Sequence, residues 1–88
     1  MKIQESGENY LETILMLGQS GHPVRSIDIV NELGYSKPSV SVAMKKLREN
    51  GYINMDNDGY ITLSETGLEI AERMYERHTL LSSFLIRL

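Results

Sequence analysis

SIDIVNELGYSKPSVSVAMKKLRENGYINMDNDGYITL, residues 26–63, switches from helical spacing to a turn, back to helical spacing, and then to two short strands. Ser26 can cap a first segment in which Ile27, Val30 and Leu33 recur one turn apart, and Gly34 stands where a left-handed stop is expected. Only Gly34 and Tyr35 separate Leu33 from a second cap, Ser36, and Pro38 falls in the first turn, where a missing N–H costs nothing. Steps of about 100° per residue put Val40, Ala43, Met44 and Leu47 on one apolar stripe. A link this short makes the helices cross steeply and share one apolar corner. Then Tyr52–Met55 and Tyr60–Leu63 read as strands around the turn cluster Asp56-Asn57-Asp58-Gly59, with Ile53, Tyr60 or Ile61 supplying a face to pack on the helices. That order predicts a mainly α fold with a small β-hairpin, a winged helix-turn-helix.

The second helix has an outward face as well as a core face. Pro38, Ser39, Val42, Lys45, Lys46 and Glu49 lie opposite the stripe, with Ser41 and Arg48 on a flank. The projecting N-terminus offers backbone amides, the Ser36 and Ser39 hydroxyls and the positive helix end, for which phosphate is the natural guest. Val42 is neither a strong helix former nor an expected core residue. Contact with a thymine methyl would account for it, and so would the ordinary tolerance of surfaces for a single valine. Residues 25–48 carry five cations, Arg25, Lys37, Lys45, Lys46 and Arg48, against Asp28 and Glu32. The window is therefore at +3 in a chain at -3, leaving -6 elsewhere. This segregation aims a positive face at a polyanion, although lysines near a helix C-terminus also complement its dipole. The wing is unusual, since Asp56 and Asp58 at its tip should repel a phosphate chain.

The ends complete the domain. A first helix starting at Ser6 presents Tyr10, Ile14 and Leu17, with Leu11 and Leu15 on the adjoining edge, and ends near Gly18–Gly21 before His22-Pro23. After the wing, Ser64 caps a long helix with Leu68, Ala71, Met74 and Tyr75 on its apolar face. Residues 1–75 thus form a three-helix core with a two-stranded wing and the start of a long C-terminal helix. Residues 76–88 are an apolar extension, Leu80, Leu81, Phe84, Leu85, Ile86 and Leu88, which predicts either dimerisation there or a further segment beyond it.

At 88 residues the chain makes one modest core and no enclosed catalytic pocket. With no cysteine it has no disulfide, thiolate metal site or thiol nucleophile. A polar N-terminus and the lack of a long apolar run predict a cytosolic protein without a membrane partner. No glycine-rich phosphate loop, repeat or low-complexity tract is present.

Four segments carry a family resemblance: Glu8-Asn9-Tyr10-Leu11-Glu12, Ser36-Lys37-Pro38-Ser39-Val40-Ser41, Thr62-Leu63-Ser64-Glu65-Thr66-Gly67 and Arg77-His78-Thr79-Leu80-Leu81. Together they resemble the metal-dependent repressors related to the diphtheria toxin repressor and the manganese transport regulator. The resemblance implies a regulator that binds Fe(II) or Mn(II), forms a homodimer through helices beyond residue 88, and represses metal-uptake genes. It places Ser36, Pro38, Ser39, Ser41 and Val42 at the duplex, Val42 facing bases, and Arg25, Ser26 and Lys46 near phosphates. The window's cations Lys37 and Lys45 join that set. Where some members have an arginine at the wing tip, this chain has Gly59 beside Asp58. Glu12 and His78 fall at metal-ligand positions, a carboxylate and an imidazole suited to Mn(II) or Fe(II). Asn9 stands where relatives use aspartate or methionine, and Ser82 where some use glutamate. The other ligands belong to the region after residue 88, so this chain alone is expected to hold no metal tightly. Read without the family, His78 and Glu12 are ordinary surface residues.

Two other classes fit some features. A winged helix can be a protein-interaction module, favoured by the acidic wing and the acidic last helix. A zinc or manganese enzyme would use Glu12 and His78 as ligands, with an open coordination position to activate water, but no third firm ligand or neighbouring general base supports it.

Overall fold

The computed structural model describes residues 5–87, with side chains placed over 7–77. Its elements run α1 (Glu5–Gln19), α2 (Ser26–Leu33), α3 (Lys37–Glu49), β1 (Ile53–Met55), β2 (Ile61–Leu63) and α4 (Glu65–Arg87). The strands pair antiparallel, Ile53 with Leu63 and Met55 with Ile61. The fold is the winged helix-turn-helix that the sequence predicts.

One core holds these pieces. Tyr10, Leu11 and Ile14 of α1, Ile29 of α2, Val40, Met44 and Leu47 of α3, Ile53 and Ile61 of the wing and Ala71 of α4 are buried together. Leu15 and Leu17 pack half-buried against them. The α3 stripe is as expected, with Ala43 on its edge.

Three expectations are corrected. The cap of α2 is Arg25 rather than Ser26, which is the first helical residue. The Asp28 carboxylate accepts the Arg25 N–H at 2.8 Å, the half of a capping box that an acidic N3 residue supplies. The buried stripe of α2 is Ile29 with Val30 and Leu33, and Ile27 is 42% exposed. An eight-residue helix has two turns, so a rotation by two positions satisfies the spacing equally well. On α4, Leu68 is 38% exposed, and Gly67, Ala71 and Met74 form the buried face instead. Small residues lead there because the helix start lies against backbone.

That backbone is the wing root. The Ser64 N–H donates to the Tyr52 carbonyl at 3.0 Å, and the Ser64 hydroxyl donates to the Gly51 carbonyl at 2.6 Å. The Ser64 oxygen also accepts the Gly67 N–H at 3.1 Å, so Ser64 caps α4 as expected. A Cβ on Gly67 would overlap the Tyr52 carbonyl oxygen. The wing also gains an edge that the sequence did not announce, because Ile61 N–H donates to the Val24 carbonyl at 2.7 Å in an isolated bridge.

Gly67→Ala should destabilise the chain by about 1–3 kcal/mol, the usual cost of overpacking where backbone must move. Gly18→Ala, whose Cβ meets nothing within 4 Å, should cost nothing. Urea unfolding followed by circular dichroism checks both; equal midpoints for the two variants would refute the close approach.

Candidate nucleic-acid interface

The start of α3 is built by a left-handed glycine that ends α2 and a serine cap in extended conformation. Gly34, at φ 73°, ends α2 with its N–H on the Val30 carbonyl at 2.8 Å, a conformation that costs a side chain but not glycine. Tyr35 then sets its ring edge-on to Tyr10 of α1, with centroids 5.9 Å apart at 74°. Burial, reinforced by the neighbouring Tyr35, pushes the Tyr10 phenol above its ordinary pKa.

Ser36 follows in extended conformation, and its hydroxyl oxygen accepts the Ser39 N–H at 3.3 Å. The same hydroxyl donates to Ser39 Oγ at 2.9 Å. With that lone pair occupied from within, the Ser39 O–H is left to donate to a group outside the helix. Pro38 sits in the first turn, where its missing donor is harmless.

All of the predicted α3 contacts face solvent. Ser36, Lys37, Pro38, Ser39, Ser41, Val42, Lys45 and Lys46 are exposed, Val42 at 54%. Arg48 and Glu49 share that surface. Ser26 joins it through a groove of about 340 Å³ between the starts of α2 and α3, lined by Ser26, Ile27, Val30, Lys37 and Ser41. The exposed Ile27 thus belongs to the groove. Arg25 is exposed too, its guanidinium carbon 4.3 Å from the centroid of the Tyr60 ring.

The exit of α3 is equally defined, by a motif that sequence reading overlooked. Tyr52 N–H donates to the Leu47 carbonyl at 2.9 Å and Gly51 N–H to the Arg48 carbonyl at 3.1 Å, with Gly51 at φ 79°. This is a Schellman cap, and the buried pair Leu47 and Tyr52 is its apolar contact. The signal was present in Asn50-Gly51 followed by an apolar residue. At the wing tip, Asp56 Oδ1 accepts the Asp58 and Tyr60 amides, each at 2.9 Å. The acid at position 56 therefore shapes the turn.

Of the residues at expected metal-ligand positions, only Glu12 and Asn9 have described side chains. Glu12 is half-buried on α1, and Asn9, one turn earlier, is exposed with its carbonyl accepting the Thr13 hydroxyl at 2.8 Å. The side chains of His78 and Ser82 lie outside the described residues. Among the described residues, no group of three or more His, Cys, Asp or Glu is placed to hold a metal.

Against known proteins, the family described as "Iron dependent repressor, N-terminal DNA binding domain" matches residues 2–65. The chain belongs to that family. It is 31% identical to an HTH-type transcriptional regulator of Methanocaldococcus jannaschii over 85 residues, 96% of this chain and 68% of the relative. It is 34% identical to the HTH-type transcriptional regulator MntR of Listeria welshimeri over 80 residues, 91% of this chain and 56% of the relative. Thus it spans about two thirds of the first of these and little more than half of the second. Among solved structures, MepR, a transcription regulator of the Staphylococcus aureus multidrug efflux pump MepA, superimposes with a TM-score of 0.68 at 18% identity, covering 98% of this chain and 65% of that one. That likeness concerns the fold. Family membership makes the chain a transcriptional regulator with a DNA-binding helix-turn-helix domain. No helix among the described residues is long and apolar enough to cross a membrane.

Ser36→Ala should lower stability by about 1 kcal/mol, a typical loss for an N-cap hydroxyl, whereas Ser36→Asp should retain most of it. Thermal melts of the three chains check this, and an unchanged alanine variant would refute the cap. For Tyr10 the sign is fixed by its raised folded-state pKa. The neutral phenol is favoured in the folded chain, so its contribution is complete below the unfolded value of about 10 and is lost as pH rises above it. The stability difference between the parent and Tyr10→Phe should therefore drift in favour of Phe above about pH 10, as read from urea midpoints. A flat difference would contradict this.

Proposed function

We propose that this chain reads specific sites in duplex DNA as part of a metal-responsive repressor. The observation that carries the proposal is the outward face of α3, where Ser39, Val42 and Lys46 are all exposed on a helix whose other side is core. In this reading α3 enters the major groove by its N-terminal half. Ser36, Ser39 and the first-turn amides meet one phosphate strand, as anions do at a helix start. Pro38 and Ser41 fit the groove wall, and Val42 lies against a thymine methyl. Arg25, Ser26, Lys37, Lys45 and Lys46 contact phosphates on either side. The acidic turn counts less toward a protein-interaction role than its charge suggests, because Asp56 is engaged by two backbone amides.

In a cytosolic repressor of this kind, residues 1–75 form the reading domain, and residues 76–88 lead toward the homodimer contact. Glu12 and His78 supply a carboxylate and an imidazole to a Mn(II) or Fe(II) site that needs further ligands, Asn9 adding at most an amide oxygen. The metal, when bound, offers a means of fixing α1 relative to α4. What the described residues do is present the reading helix.

The test is fluorescence anisotropy with selected and mixed-sequence duplexes over a salt series. Lys46→Ala should weaken binding to all sequences alike and lower the salt slope by about one, the share of one phosphate contact. Val42→Ala should relax preference at one base pair by about 1 kcal/mol. Uniform losses across sequences for both variants would overturn base reading by Val42, and salt-independent binding would overturn the DNA reading as a whole.

A further inference from the structure

Between Asn50 and Ser64 the wing has neither lysine nor arginine. Two arginines from other elements nevertheless lie against it. Arg48, in the last turn of α3, brings Nη1 to 3.9 Å from Met55 Sδ. Arg25, at the cap of α2, has its guanidinium carbon 4.3 Å from the Tyr60 ring centroid.

The Arg25 arrangement is held from both sides. The Val24 carbonyl accepts Ile61 N–H at 2.7 Å, which ties the two residues next to the pair directly together. Arg25 N–H is fixed by Asp28 Oδ2 at 2.8 Å, and Tyr60 N–H by Asp56 Oδ1 at 2.9 Å. Ring and guanidinium therefore rise from backbones with little freedom to separate.

A guanidinium stacked on a ring uses its face. Its five N–H donors lie in the plane and stay available at the edge. An arginine already ordered in this way also loses less rotamer freedom when it meets a phosphate than one swinging in solvent.

We propose that Tyr60 is a positioning residue that holds Arg25 as a preset clamp for a backbone phosphate of duplex DNA, so that a wing with an acidic tip still brings a cation to the interface. This rests on the DNA reading above. Tyr60 then does by stacking what an arginine at the tip would do by itself.

The experiment is a double-mutant cycle on duplex binding by the chain, read by anisotropy with a mixed-sequence duplex over a salt series. Tyr60→Leu, which changes no charge, should weaken binding about threefold, the scale of an exposed cation–π contact. Arg25→Gln should weaken it further and lower the salt slope by about one. The double variant should bind as Arg25→Gln alone does, and Tyr60→Phe, which keeps the ring, should bind as the parent. Additive losses in the double variant, or an unaffected Arg25→Gln, would overturn the clamp. Lys46→Ala separates this from the broader reading: if it weakens binding while Arg25→Gln does not, only the clamp fails, and if the parent binds no duplex, both fail. Should Tyr60→Leu not fold, the Arg25 Nε–H resonance of the parent decides. It should be shifted upfield by the ring in the free chain and should move on duplex addition. A resonance unshifted in the free chain, or unmoved at saturating duplex, would overturn the proposal.

Discussion

Tyr52 is where α3, the wing and the last helix meet. Its own N–H closes the Schellman cap of α3, and its oxygen accepts the Ser64 N–H that begins α4. Both ends of the wing are thereby fixed at one residue, because β1 starts just after Tyr52 and β2 ends just before Ser64. A two-stranded hairpin of three-residue strands is marginal alone, so its direction relative to α3 must come from this junction and from the face it buries. Gly67 keeps the junction open. Any side chain there would separate α4 from the wing root, and with it the surface that α3 and the wing present together.

A second constraint concerns what acidic residues are for. Asp28 and Asp56 each spend a carboxylate oxygen on backbone amides, one at the cap of α2 and the other in the wing turn. Such residues recommend themselves for local conformational reasons, since short carboxylates satisfy amides that a turn leaves without partners. Their charge is a side effect that the surface must then accommodate. Near a polyanion the accommodation needs cations close by, and Arg25 lies beside both: its amide is bonded to Asp28, while its guanidinium covers the tyrosine whose amide is bonded to Asp56.

What was legible in the sequence follows the strength of local chemistry. Ser36, Pro38, Gly34 and the Val40–Leu47 stripe each state their conformation within a few residues, and all four stand as read. The face of α2 was not legible, because two turns with Ile27, Ile29, Val30 and Leu33 admit more than one apolar stripe, and only the neighbours choose. On α4 the burial of Gly67 in place of Leu68 depends on a carbonyl fifteen residues away, a contact that periodicity cannot see. The Val24–Ile61 bridge and the Arg25–Tyr60 stack are likewise long-range. For the interface, residue types on α3 announced an outward polar face, and the structure leaves that face exposed. Glu12 and His78 are different, since a coordination set is a matter of distances between separate helices, and spacing along the chain is silent about them.

The charge balance shows why a chain at -3 is compatible with a phosphate ligand. At physiological ionic strength, exposed charges are screened over about 8 Å, while a single helix with its side chains is about 10 Å across. Glu65, Glu69, Glu72 and Glu76 belong to α4, a different element from the cations of α3, so the chain's total does not describe the charge on the outer face of α3. The sum over the chain is therefore the wrong quantity. In the proposed complex a duplex meets the local set of Lys37, Lys45, Lys46, Arg25 and Arg48, with Glu49 among them, and acids elsewhere would penalise approach by another side. On the proposed reading, an exposed valine among those cations would contribute little until a groove closed over it, so its apolar area would count only in a complex that brings base edges within reach.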